Sequence, residues 1–299
     1  MGPKRNHHIL PRLYLKGFVA IKDEPFIWEY RKGKAFNPGE LSKHNPQRKS
    51  IGSPCAVKDY YAYPHEGGGV DYDSYEDILE AFEKPANPIF EKIRAQKRIT
   101  TVEKETFAFY MGQMIRRVPS YREDLKKRLP GVAKDMEPTE EFFQTMKWPD
   151  NEATRKRFKE IAENEAKKEG AEVRTHLKCV AGTERSLIPD YIVQMKWRFF
   201  TAPSGHGFLT GDNPVFYFKK LGLRNPASEI SFPISTEVAL VASWAKNHRE
   251  GFFEAPSQVV KELNRRTTSF ASELVYFWRP ESWVTGLLNK TEHRFNSIH

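Results

Sequence analysis

Hydrophobic period changes twice along this chain, and nothing else in it constrains the fold as much. Near both ends, apolar residues gather in short extended runs. From about Ser74 to Met195 they recur at helical spacing instead. A chain of this kind must bring its terminal strands together across a helical middle. Pro25-Phe26-Ile27-Trp28-Glu29-Tyr30 followed by Lys32-Gly33-Lys34 reads as short strands or a hairpin. Trp197 to Thr201, Phe208 to Thr210, Val215 to Phe218, Ile230 to Pro233, Val238 to Trp244 and Leu274 to Trp278 read as strands, with a helix over Pro256 to Ala271. The expectation is an α+β fold. Its sheet, mixed or antiparallel, draws on N- and C-terminal strands and flanks a large central helical region. The expected organisation is a single α+β domain over residues 1–299, with 74–195 as a helical insertion within it.

Inside the helical region, Ser74 is a candidate N-cap, and Ile78, Leu79 and Phe82 form an apolar face. Pro85 and Pro88 are expected to break that helix and start another. Thr101 to Val118 is the cleanest helix. Phe107, Met111, Met114 and Val118 make its apolar stripe, and Tyr110, Gln113 and Arg117 lie on the stripe beside it. Residues 151–169 carry six basic and five acidic side chains, the pattern of a solvated helix. Residues 37–54, with three prolines, read as a loop. Gly67-Gly68-Gly69 reads as a hinge rather than a phosphate loop, because no Lys-Ser/Thr pair follows it.

Charge points to a partner. The formal net charge is +9, and residues 1–50 hold eleven Lys/Arg against four acids. Residues 94–128 hold ten against four. Such asymmetry suits a polyanion, since each neutralised phosphate releases counterions. The expected partner is nucleic acid, DNA ahead of RNA, gripped by Arg12, Lys16, Gln113, Arg116 and Arg117. Aromatic residues beside these cations can stack on unpaired or flipped bases. No apolar run approaches the roughly 20 residues that span a bilayer, so no membrane partner is expected. Cys55 and Cys179 stand far apart with no Cys-x-x-Cys partner. That suits a reduced, cytoplasmic protein with no cysteine-built metal site and no cofactor.

Two segments carry candidate chemistry. In Phe208-Leu209-Thr210-Gly211-Asp212-Asn213-Pro214-Val215, a sharp turn holds a carboxylate and a carboxamide between two expected strands. Gly211 permits backbone angles other residues avoid, and Pro214 keeps Asn213 out of helical geometry. Asp212 is then either a displayed reactive group or an Asx-type cap of its own backbone. In Asn6-His7-His8-Ile9-Leu10-Pro11-Arg12-Leu13-Tyr14-Leu15-Lys16-Gly17-Phe18, two histidines precede a short apolar helix whose docking would fix their position. A histidine can shuttle protons near neutral pH or bind a metal.

These two segments, with Phe232-Pro233-Ile234-Ser235, resemble the bacterial domain of unknown function 4238 family over nearly the whole chain. The likeness includes a helix of the form Asn264…Ala271 before the last strand. This sequence has Thr210-Gly211 where the family pattern has Thr-Ser, a departure that leaves Asp212 and Asn213 in place. The resemblance implies a bacterial accessory protein, with some relatives acting in defence against phage. It supports a functional Asp212 and implies little about mechanism.

Glu83, Gln113, Arg117 and Asn264 sit where core-facing helices turn polar groups inward, so they are candidates for a network behind Asp212. The leading expectation is a nucleic-acid-directed hydrolase: a metal-independent DNA glycosylase acting on modified bases, in anti-phage defence. N-glycosidic hydrolysis needs one carboxylate against an oxocarbenium-like transition state. Asp212 would supply it, Asn213 would orient water, and His8, with His7 and Glu83, would assist. A metal-dependent nuclease built on His7, His8, Glu83 and Asp212 is the first alternative. It is short of carboxylates for two ions. A non-catalytic nucleic-acid- or partner-binding protein is the second.

Overall fold

In a computed structural model of the chain, the described residues are 5–19, 25–32, 46–52, 56–64, 69–72, 74–134, 140, 144, 149–167, 171–181, 187–289 and 295–298. Gly33 and Lys34 of the expected hairpin turn, most of the expected 37–54 loop, Cys55, and Gly67-Gly68 of the hinge lie outside them; the loop expectation is corrected at Gln47–Ser50, a strand held by pairing with residues 26–29.

The N-terminal part holds β1 (Asn6–His8), α1 (Arg12–Leu15) running into a 3-10 turn (Lys16–Phe18), β2 (Phe26–Arg31), β3 (Gln47–Ser50), β4 (Ala56–Lys58), β5 (Tyr63–Pro64) and β6 (Val70–Asp71). Helices follow: α2 (Ser74–Arg94), α3 (Thr101–Arg116), α4 (Pro119–Lys134), α5 (Glu152–Lys167), α6 (Ala171–Ala181) and α7 (Ile188–Gln194). The C-terminal part holds β7 (Lys196–Thr201), β8 (Thr210–Gly211), β9 (Phe216–Tyr217), β10 (Glu229–Pro233), β11 (Val238–Ser243), β12 (Gly251–Glu254), α8 (Ser257–Phe270), β13 (Leu274–Phe277) and α9 (Ser282–Leu288). This is an α+β fold.

A mixed five-stranded sheet, in the order β12-β7-β11-β10-β9, is drawn from the C-terminal part. Its β12–β7 pair is parallel and its other pairs are antiparallel. Every residue of β10 and β11 is buried, which explains their near-continuous apolar run. A four-stranded antiparallel sheet, β3-β2-β13-β8, unites the two ends of the chain. Val275 of β13 stands opposite Tyr30 on one side and Gly211 on the other.

One apolar cluster spans these parts. It includes Tyr14, Phe18, Phe90, Phe107, Trp197 and Phe232. The ring of Tyr14 stacks on Phe232 at 5.2 Å. Helix α3 begins at a capping box in which Thr100 and Glu103 exchange hydrogen bonds. Helix α2 begins with the Ser74 N–H bound by the Asp71 carboxylate, so Asp71 closes that end.

Helix α2 also corrects an expectation, because it runs unbroken through Pro85 and Pro88. Each interior proline costs about 3 kcal/mol in an isolated helix. Here Leu79, Ala86, Ile89, Phe90 and Ile93 are all buried along it, and that packing outweighs the local preference. Helix α5 is largely exposed between its half-buried residues, as its charge pattern requires. Among the described residues, no helix is long and apolar enough to cross a membrane.

Candidate functional site

The N-terminal segment is a joint. The Tyr14 hydroxyl lies 2.6 Å from Thr210 Oγ1 and donates to the Pro233 carbonyl at 2.9 Å. One fully buried phenol therefore ties the histidine segment to the prolyl loop and to Phe232-Pro233-Ile234-Ser235. Arg94 Nη2 supports it from α2, bonding the carbonyls of Leu13 and Tyr14 at 3.1 Å and that of Ile234 at 3.4 Å. Gly17 is required by close approach: a Cβ there would stand 2.6 Å from the Ile234 carbonyl oxygen.

The prolyl loop is a second joint. Its flanking strands belong to different sheets, β8 to the four-stranded one and β9 to the five-stranded one, so the loop is a crossover and no hairpin. Asp212 is 7 % exposed. Its Oδ1 accepts the Ser272 N–H at 2.7 Å, and its Oδ2 accepts those of Glu273 and Leu274 at 2.7 and 3.0 Å. It caps backbone, though not its own: the N–H groups leave the end of α8 and enter β13. Lys32 Nζ closes the same corner from the other side, bonding the carbonyls of Thr268, Ser269 and Ala271. Burial pushes the Asp212 carboxyl upward, against the pull of the three N–H groups. Asp212 lines none of the described cavities. Gly211 has no positive φ, contrary to expectation; it is needed for packing, since a Cβ would meet Ala271 Cβ at 3.0 Å. Asn213 Nδ2 donates to Ser120 Oγ at 3.0 Å and ties the loop to α4.

The two histidines separate. His7 is fully buried. Its Nδ1 accepts the Tyr61 N–H at 2.8 Å, so its Nε2 carries the proton and donates to the Tyr72 carbonyl at 2.9 Å. That ring is spent on structure. His8, the neighbouring strand residue, projects the other way and borders an open cleft of about 750 Å³.

This cleft is the candidate site. His8, Arg12, Glu83 and Arg117, all chosen from sequence, line it together with Arg5 and Glu80. The strand β1, the start of α1, helix α2 and the residue closing α3 supply them. Arg117 is the fixed centre: Nη1 bonds Glu83 Oε1 at 2.8 Å and Nη2 bonds the His8 carbonyl at 2.7 Å. Burial works against its charge, yet Tyr61 and Glu83 beside it hold its pKa above the ordinary arginine value. His8 Nε2 lies 2.9 Å from the Gly52 carbonyl, which fixes the ring plane. Arg5 is spent on a two-point pair with Asp59. Arg12 is exposed, with no hydrogen bond or ion pair among the described residues, and Gly52 leaves room for its guanidinium. Behind Arg117, the Tyr110 hydroxyl, both polar atoms of Gln113 and Arg117 Nε are buried with no hydrogen-bond partner among the described residues. These groups share one face of α3.

The remaining candidates lie elsewhere. Gln113 is 2 % exposed and Arg116 equally so, and neither reaches solvent phosphate. Arg116 instead bonds the carbonyls of Gly112 and Cys179. Lys16 borders a different cavity, of about 480 Å³. The Asn264 carboxamide is consumed by the Leu209 N–H and the Gly207 carbonyl, at 2.8 and 2.9 Å. Arg5, Glu80 and Tyr110 were missed as site residues. Tyr110 carried a signal, sharing the polar stripe of Gln113 and Arg117; the other two are ordinary charged residues in the sequence. Among the described residues, no three His, Cys, Asp or Glu side chains are grouped to hold a metal ion.

Fold and site together define an α+β protein with a polar cleft at the joint of its N-terminal segment and two helices. The chain belongs to the family described as protein of unknown function (DUF4238), whose model matches residues 6–281. No curated protein and no solved structure matches it.

Proposed function

We propose that this protein is a nucleic-acid-directed hydrolase whose reacting carboxylate is Glu83 in the cleft. The observation that carries the reading is the meeting of His8, Arg12, Glu83 and Arg117 around one cavity. Glu83 supplies a carboxylate held in place by Arg117 at 2.8 Å. An oriented carboxylate is what an N-glycosidase needs, either to steady an oxocarbenium-like sugar or to draw a proton from water. Arg12, uncommitted at the mouth, faces a phosphate, and the excess of basic residues steers a polyanion toward it. His8 stands at the rim beside the leaving base. The reaction breaks the bond between sugar C1′ and the base nitrogen. Water adds its hydroxyl to C1′, and the one proton it gives up passes to Glu83 and on to the leaving base nitrogen, which takes the bonding electron pair. The substrate reading is DNA with modified bases, which agrees with a role against phage. It needs no metal.

The experiment is incubation of the full chain, in chelator, with modified and unmodified DNA, scoring abasic sites. Abasic sites in chelator, lost in Arg12→Glu, support the reading. Strand cleavage that requires added divalent metal would replace it with the nuclease. Binding of DNA with no bond broken under either condition would replace it with the non-catalytic reading.

A further inference from the structure

A second cavity, of about 680 Å³, lies between the loop at Gly205, helix α8 and helix α9. It shares none of its lining with the cleft. Its walls are apolar: Phe277, Leu287 and Val260 face it with Trp283, whose side chain is 40 % exposed. The Phe277 and Trp283 rings meet edge to face at 5.5 Å and form an aromatic corner.

The rim is charged, and its charges are unequal. Arg265 pairs with Glu262 at 3.0 Å, and Arg279 pairs with Glu281 while lying 4.5 Å over the Trp278 ring. Lys261, one helical turn before Arg265, is exposed and has no ion pair or hydrogen bond among the described residues. His206 stands at the mouth with Nδ1 spent on the Ser204 carbonyl. One uncommitted cation on the same cavity as an aromatic corner suits a ligand with a flat ring and a single phosphate. The Asn264 carboxamide, already satisfied, serves to hold the Gly207–Leu209 backbone that floors the site.

We infer that this cavity binds a nucleoside phosphate group, with the base against Trp283 and Phe277 and the phosphate at Lys261. The same chemistry occurs in a free mononucleotide and in one nucleotide of a single strand. The inference does not depend on Glu83 or on any bond being broken.

Titration calorimetry of the full chain tests it, with adenosine monophosphate, adenosine, inorganic phosphate and a short single-stranded oligodeoxynucleotide as probes. Saturable binding of the monophosphate is expected, with adenosine and phosphate each weaker by about tenfold or more. Trp283→Ala removes the stacking face and Lys261→Glu reverses the phosphate contact. Each is expected to weaken binding about tenfold or more. Both side chains are exposed, so circular dichroism should be unchanged. Binding of the oligonucleotide without the monophosphate, lost in the same two variants, assigns the site to the polymer and keeps the inference. Absence of binding by both probes at millimolar concentration, or binding equal in both variants, overturns it. The hydrolase reading fails on abasic-site formation and this one on Trp283→Ala, so the two failures are separable.

Discussion

The prolyl loop and the cleft are both rich in polar residues, yet they use them in opposite ways. In the loop the polar side chains are tied to backbone or to a neighbouring hydroxyl: Asp212 to three N–H groups, Asn213 Nδ2 to Ser120, Thr210 to Tyr14. In the cleft the accounts stay open. Arg12 has no partner among the described residues, and four polar atoms behind it are buried without one. The loop's polar groups hold a chain crossing in place, whereas the cleft gathers charged side chains around open space. On the proposed function, the chemistry lies in the less conspicuous segment.

The largest expected effect breaks the loop. Asp212→Ala leaves the Ser272, Glu273 and Leu274 N–H groups without their acceptor, and should destabilise the fold by about 4 kcal/mol in urea unfolding. A loss under about 1 kcal/mol would remove the loop from the joint. The next effect is acid sensitivity. Burial lowers the His176 pKa to about 4, and the ring sits against the Arg116 carbonyl beside the cleft's supporting helix. The unfolded chain takes up this proton near pH 6.5, while the folded chain does so only near pH 4. Stability is thus lost as pH falls through that window, by about 3 kcal/mol from this group at pH 4. His176→Gln should lose less stability between pH 7 and pH 4.5 than the wild type; an identical loss contradicts the assignment.

Smaller effects sharpen the comparison. Tyr14→Phe removes the shared hydroxyl of both motif joints and should cost about 2 kcal/mol, read as a lower unfolding midpoint. Arg12→Ala removes no side-chain hydrogen bond or ion pair among the described residues and should change stability by less than about 0.5 kcal/mol while weakening DNA binding and its salt dependence. Equal binding by this variant would exclude Arg12 from the site.

Much of the fold was legible because period is a local property. Most of the longer strands, the apolar stripe of Thr101 to Val118 and the charged helix after residue 151 were read from spacing, and β2 does pair with β13, while β12 went unread and β3 falls where a loop was expected. Misreadings arose where distant packing decided. Pro85 and Pro88 carry a local signal to stop, but the burial of Phe90 and Ile93 overrides it. Gly211 carries a signal for unusual backbone angles, but what it needs is space beside Ala271. The partners of Asp212 lie at residues 272–274, and no spacing rule connects them to the loop. Helix α9 went unread, because seven residues are too few to establish a period. In the site, Glu83 and Arg117 were found because a charged residue on an inward-facing stripe demands a partner. His7 and His8 could not be told apart, since only the paired backbone of β1 and β4 decides which ring turns inward.

The central claim is that reactive groups belong to the cleft and that the prolyl loop is structural. Abasic-site formation in chelator, compared between Asp212→Asn and Glu83→Gln under conditions where circular dichroism shows both folded, tests it most directly. Folded Asp212→Asn should keep near wild-type turnover, and Glu83→Gln should lose about a hundredfold or more. Loss of turnover in folded Asp212→Asn, with Glu83→Gln active, would contradict it.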